Sequence, residues 1–208
     1  MEHRNSQSTF GVTGRIDKKV FNTDDIENAV ADFASLSKFE KLLVTRPSAA
    51  IDYSELTPEQ VTYANVDVEP VDTETIHNVT VTRFHEYFVD NLDPAQTGAK
   101  DNVNAAWMAL GDDAASGTAE TDSDLNNRVY SETVTDHADN GAELLASTFV
   151  DSTEANGYTV NEIGLFSGDP ANLGNAEVFM LNHATFADVT KDNSKTVTFD
   201  VTLTFSDV

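Results

Sequence analysis

Five histidines, 36 carboxylates and no cysteine bound the chemistry open to this chain. The histidines, His3, His77, His85, His137 and His183, are dispersed. Phe84-His85-Glu86-Tyr87 lacks the second histidine of a zinc-binding helix, and neither a nucleophile elbow nor a phosphate-binding loop is present. Without cysteine there is no disulfide framework and no thiolate metal site. Asp112-Asp113 and Asp122-x-Asp124 have the chemistry for loose Ca²⁺ or Na⁺ contact but lack EF-hand spacing. Glu162 is the one carboxylate set among apolar neighbours. It reads as a structural acceptor for loop backbone or for Arg128; the other reading, a catalytic acid, finds no partner in the sequence. Asn78-Val79-Thr80 is a glycosylation sequon. The sequence therefore assigns no catalytic residue, no metal site and no cofactor.

Acids outnumber the 12 bases threefold, giving a formal charge of -24. Such a chain repels itself in dilute salt. At molar salt the screening length falls to about 3 Å, and the penalty nearly vanishes. The composition predicts adaptation to concentrated salt. It argues against a nucleic-acid partner, which requires a basic footprint, and no apolar run approaches the ~20 residues of a membrane span. The opening Met-Glu-His-Arg-Asn-Ser-Gln-Ser lacks the apolar core of a signal peptide.

The charge is uneven. Residues 1–50 hold seven bases and seven acids; residues 51–208 hold the whole excess. A salt-adapted chain coats its solvent-facing surface with acid. On one reading a neutral block is core, or chance variation; on the second it is buried against other subunits. On the second reading residues 1–50 are the assembly portion, and Phe10, Val12, Ile16, Ile26, Val30 and Phe33 supply apolar contact to neighbouring copies or an adapter.

These residues need elements to position them. Phe10, Val12 and Ile16 fall in an extended segment. Asp24 with Glu27 suggests a capping box, and Ile26, Val30 and Phe33 follow at helical spacing, predicting a helix over 24–37. Thr57-Pro58-Glu59 reads as a turn, and Val66, Val68 and Val71 as an irregular edge strand around Pro70. A domain boundary is set near residue 74. Residues 76–82 alternate as a strand; Phe84, Tyr87, Phe88 and Leu92 predict an amphipathic helix. Trp107–Gly111 reads as a strand, 112–127 as an acidic loop. Further strands are predicted near 128–135, 142–150, 157–167, 175–187 and 195–206. The expected fold is mainly β: a mixed α/β assembly or adapter region over 1–74, then an antiparallel β-sandwich-like domain over 75–208 that begins with one amphipathic helix.

Asn156-Gly157-Tyr158-Thr159-Val160-Asn161-Glu162-Ile163-Gly164-Leu165-Phe166 is the most specific stretch. It resembles a signature of structural proteins in tailed-virus tails, including tail-fibre and baseplate-associated proteins. Met108–Asp112, Leu125–Val129 and Asn182–Phe205 resemble companion elements in the usual order. Asn127 stands where the family often has Glu, and Ser167–Asn172 is longer than the usual turn. The resemblance covers roughly residues 76–208. It implies a virion structural protein of a tailed haloarchaeal virus, made in the host cytoplasm and placed at the tail, baseplate or fibre base. Its implied partners are copies of itself and other virion proteins, without nucleic acid or membrane insertion; host-surface contact is compatible with it. A capsid-vertex turret or decoration protein is the alternative, then a cellular carbohydrate- or protein-binding module. A depolymerase would need paired carboxylates in a cleft, and no pair is singled out.

Overall fold

A computed structural model describes residues 10–46, 53–82, 84, 105–139, 141–175 and 178–207. Among them nine strands form one sheet, and every pairing is antiparallel. They are β1 (Phe10–Asn22), β2 (Asp72–Thr80), β3 (Trp107–Gly111), β4 (Arg128–Thr133), β5 (Asp136–Asp139), β6 (Glu143–Val150), β7 (Thr159–Phe166), β8 (Met180–Thr190) and β9 (Lys195–Asp207). The order across the sheet is β4-β3-β7-β8-β2-β1-β9-β6-β5.

The sheet curls, and two bent stretches make its corners. β2 pairs with β1 through residues 72–78 and with β8 through Val79 and Thr80. The two ends of the order, β4 and β5, are consecutive in the chain. Between them the Val134 N–H donates to Ala106 O (2.9 Å) and the Thr135 N–H to Ser147 O (2.8 Å). Residues 128–139 thus pass from β3 to β6 as one crossing stretch. Strands that switch partners in this way let a sheet close over a core without long free edges.

Alternation sorts the side chains. Val12, Ile16 and Val20 of β1 share a large core with Val197, Phe199, Val201 and Leu203 of β9 and with Met108, Leu110, Ile163 and Leu165 across the curl. The opposite face of the sheet presents Phe21 of β1 and Phe149 of β6. These are capped by Ile26, Val30, Phe33, Leu42 and Val44 in a second, smaller core. Phe33 meets Phe149 edge to face, with centroids 6.1 Å apart.

Among the described residues three α-helices lie in the first third of the chain: α1 (Thr23–Ala29), α2 (Lys38–Thr45) and α3 (Pro58–Ala64). The single helix predicted over 24–37 is instead α1, an extended Val30, a left-handed Asp32 (φ 58°) and a short 3-10 turn. The break lets Val30, Phe33 and Leu42 all reach one face of the sheet. Asp24 and Glu27 form no capping box; the box is at Ser37 and Glu40, where α2 begins. A second box, Thr57 with Gln60, makes Thr57-Pro58 a helix start rather than a turn. Residues 66–71 are not a strand: Val66 and Val68 pack on the smaller core, and Val71 is exposed.

The boundary set at residue 74 falls inside β2. β1 lies mid-sheet, bonded on both edges, and both cores draw residues from either side of that boundary. Of the helix predicted from Phe84 to Leu92, only Phe84 lies among the described residues; it is buried against Phe205. No helix of the described residues is long and apolar enough to cross a membrane.

Candidate functional site

The Glu162 side chain is fully buried on β7, and loop 112–127 folds over it. Its Oε1 accepts from the Asn126 N–H (3.3 Å) and Asn126 Nδ2 (2.7 Å). Its Oε2 accepts from the Asp113 N–H (3.2 Å) and the Asn127 N–H (3.3 Å). His183 on β8, also fully buried, reaches Oε1 through Nε2 at 3.0 Å. The other ring nitrogen, Nδ1, lies 2.7 Å from Asp122 Oδ2, which also accepts from the Ala119 N–H. One carboxylate thereby closes both ends of a loop onto the sheet, and one imidazole ties the loop's centre to the same point.

Two glycines make room. A Cβ at Gly111 would sit 2.4 Å from Glu162 Oε2 and 2.9 Å from Asn127 O. A Cβ at Gly164 would meet Phe166, Leu125 and Met180 at 2.9–3.1 Å. Gly164 therefore lets the loop's Leu125 pack directly on the sheet. This is why Ile163, Gly164, Leu165 and Phe166 are all buried: the loop covers one face and the large core the other.

Chemically the arrangement is closed. Both imidazole nitrogens face carboxylates, and an ionised carboxylate only accepts; satisfying both bonds takes two N–H donors or one protonated carboxyl. No ring nitrogen is left to serve a substrate. Asp122, with 22% of its side chain exposed, borders a cavity of about 500 Å³ lined also by Glu120, Ser123, Phe179 and Met180. The remaining acids of the loop are used locally. Asp112 accepts from Asn127 Nδ2 (2.6 Å), Asp113 from Ser116 (3.0 Å), and Asp124 pairs with Arg128 (3.2 Å). Arg128 is thus Asp124's partner rather than Glu162's.

The neutral N-terminal block has its own constellation, which pattern reading missed. Lys18 is fully buried and pairs with Asp72 (3.2 Å) and Glu74 (2.8 Å); its ammonium also donates to Ala187 O. Lys19 and Arg46 reach Asp200 (3.6 and 3.8 Å), and Arg46 also pairs with Asp136 at 2.9 Å. Lys41 pairs with Asp151 (2.5 Å) and lies over the Phe33 ring. Lys38 bridges Glu132 and Glu154. Five of the seven bases in residues 1–50 are therefore neutralised by acids beyond residue 50. Arg15 pairs within the block, with Asp17.

Lys18 and Lys38 occupy the two corners of the sheet. At the first, β2 splays from β8; there Glu74 accepts from the Ala187 N–H and Lys18 donates to the Ala187 carbonyl, as a neighbouring strand would. At the second, Lys38 joins β4 to the turn after β6. Burial pushes the Glu132 carboxyl up to about 7, against the opposing pull of Lys38. The same carboxylates, behind burial, raise the Tyr130 phenol well above its usual range. Burial lowers Lys191 to about 8; its ammonium donates to Asn156 Oδ1 (3.1 Å) and Asp192 O (3.2 Å).

Five of the six apolar residues assigned to contact with other subunits are consumed inside the chain. Val12 and Ile16 belong to the large core; Ile26, Val30 and Phe33 belong to the small one. The Phe10 side chain lies outside the described residues, as do His3 and His85. Hydrophobic spacing marks a covered face without saying what covers it. His77 is exposed, and His137 Nε2 lies 2.5 Å from Ala105 O. Both amide atoms of Asn78 are buried over Gly14, so the sequon offers no accessible side-chain nitrogen. No family model matches the chain, and neither a curated protein nor a solved structure matches it.

Proposed function

We propose that the chain is a structural component of a tailed haloarchaeal virus particle, oligomeric and placed at the tail, baseplate or fibre base. The observation that carries this reading is the use of the Asn156–Phe166 stretch. Its polar groups hold the fold: Asn156 donates to Ser152 O and accepts from Lys191, and Glu162 anchors the acidic loop. A motif spent on architecture suits a particle subunit better than an enzyme, and in this reading the chain catalyses nothing. The curled sheet is taken as a sandwich-like shell, an architecture suited to repeated packing. The acid excess is taken as adaptation to concentrated salt, with copies of the chain and other virion proteins as partners.

The test is location. An antibody to the acidic chain, used for gold labelling of salt-purified particles, should decorate the tail or its base. Label at capsid vertices would replace the tail reading with a turret or decoration role. Protein found in host lysate and missing from particles would end the virion reading. Glycan-array binding by such a protein would then favour a cellular binding module.

A further inference from the structure

The outer surface of the sheet is capped at one end only among the described residues. α1 and α2 cap the outer face at the Phe21–Phe149 end; among the described residues no helix covers its other half. The register aligns the side chains there. His77, Arg15, Thr202 and Leu145 form one row across β2, β1, β9 and β6, and Thr13, Thr204 and Glu143 form the next. His77, Arg15, Thr13 and Glu143 are exposed, and Thr202, Thr204 and Leu145 half-buried.

This half-face is nearly neutral in a chain of charge -24. Asp17 is paired with Arg15 and bonded by the Thr75 hydroxyl (2.6 Å). Asp200 faces Lys19 and Arg46, and Asp136 faces Arg46. Glu143 is left without a basic partner among the described residues; its contact is the Thr204 hydroxyl at 3.4 Å. Arg15 keeps 56% of its side chain exposed despite its pair. Arg15 and Glu143 lie two strands and one side-chain row apart, about 12 Å from strand spacing and rise.

We infer that this open half-face is where two copies of the chain meet, face to face, about a two-fold axis over Thr202 and Thr204. The axis midway between Arg15 and Glu143 sets each arginine opposite the other copy's free carboxylate. An isologous contact of this kind needs only one self-complementary patch. Elsewhere two copies would set acid against acid; here they bring threonine rows and complementary charge together, a sheet-on-sheet contact about 10 Å deep. The inference deepens the particle reading and rests on it for the need to self-associate.

The chain has no cysteine, so single-cysteine variants give a clean probe. In the full chain at molar potassium chloride, Thr204→Cys and Thr202→Cys treated with a short bismaleimide should give covalent dimer. The yield should rise roughly tenfold faster than for Thr133→Cys and Thr190→Cys, exposed positions elsewhere, as a preformed pair demands. Equal rates at all four positions overturn the inference. Arg15→Glu should shift sedimentation from dimer toward monomer, and adding Glu143→Arg should restore the dimer. Sedimentation unchanged by Arg15→Glu also overturns it. Gold labelling of particles is independent: decorated particles with failed cross-linking would remove this surface and leave the virion reading intact.

Discussion

Five nitrogen atoms converge on Glu162, three from the backbone of loop 112–127 and two from side chains. Removing the acceptor strands buried donors, which costs more than the bonds themselves contribute. Glu162→Ala should therefore destabilise the folded chain by about 3–5 kcal/mol in denaturation at molar salt. Amide exchange at Asp113, Asn126 and Asn127 should speed up first; unchanged exchange there would contradict the anchoring role. Glu132 makes the opposite case. Its side chain is 8% exposed and one oxygen has no partner. Its folded value of about 7 lies above the ordinary 4.5, so the native state holds the proton more tightly than the unfolded one. Stability from this group is then lost as pH rises through that window. Glu132→Gln should gain on the wild type between pH 5 and pH 8, by up to roughly 3 kcal/mol. A difference in melting temperature that stays flat with pH would contradict it. Residue chemistry was half legible in the sequence. Glu162 stood out because its neighbours are apolar, but His183 and Asp122, its companions, are 21 and 40 positions away, and only the fold brings them together.

At the scale of elements, α2 is held by packing more than by its cap. Phe149, wholly buried on β6, is the floor on which α1 and α2 rest. Phe149→Ala should cost about 3–5 kcal/mol, and Ser37→Ala, which removes the capping box, about 1 kcal/mol. Urea titrations of the two variants check the ranking; a cap loss equal to the core loss would show α2 to be held by its own turn. The strands were the legible elements. Trp107–Gly111 and the alternating Lys195–Asp207 read directly as strands because one face of each is apolar and continuous. β5 was missed because Asp136-His137-Ala138-Asp139 carries no apolar alternation; pairing with β6 makes it a strand. The helix over 24–37 was misread because Ile26, Val30 and Phe33 serve one apolar face through a broken backbone, and spacing does not reveal the break.

At the scale of the molecule, the charge asymmetry is an internal one. The first fifty residues hold as many bases as acids, and five of those bases are spent on acids of the rest. Lys18, Lys19, Lys38, Lys41 and Arg46 fasten the corners and the helical cap to residues between 72 and 200. Composition by position could show that the block is neutral; it could not show that its bases are paired within the same chain. Of the outward residues of β1, Thr13 and Arg15 stay exposed and Asp17 is half-buried. Thermal unfolding of residues 51–208 alone at molar salt decides whether the neutral block is an integral part of the fold. Deletion of the first fifty residues removes a strand bonded on both edges and part of each core. The truncated chain should show no cooperative thermal transition and no fixed near-ultraviolet dichroism. A sharp transition from a compact, folded 51–208 would make the neutral block a detachable assembly segment instead.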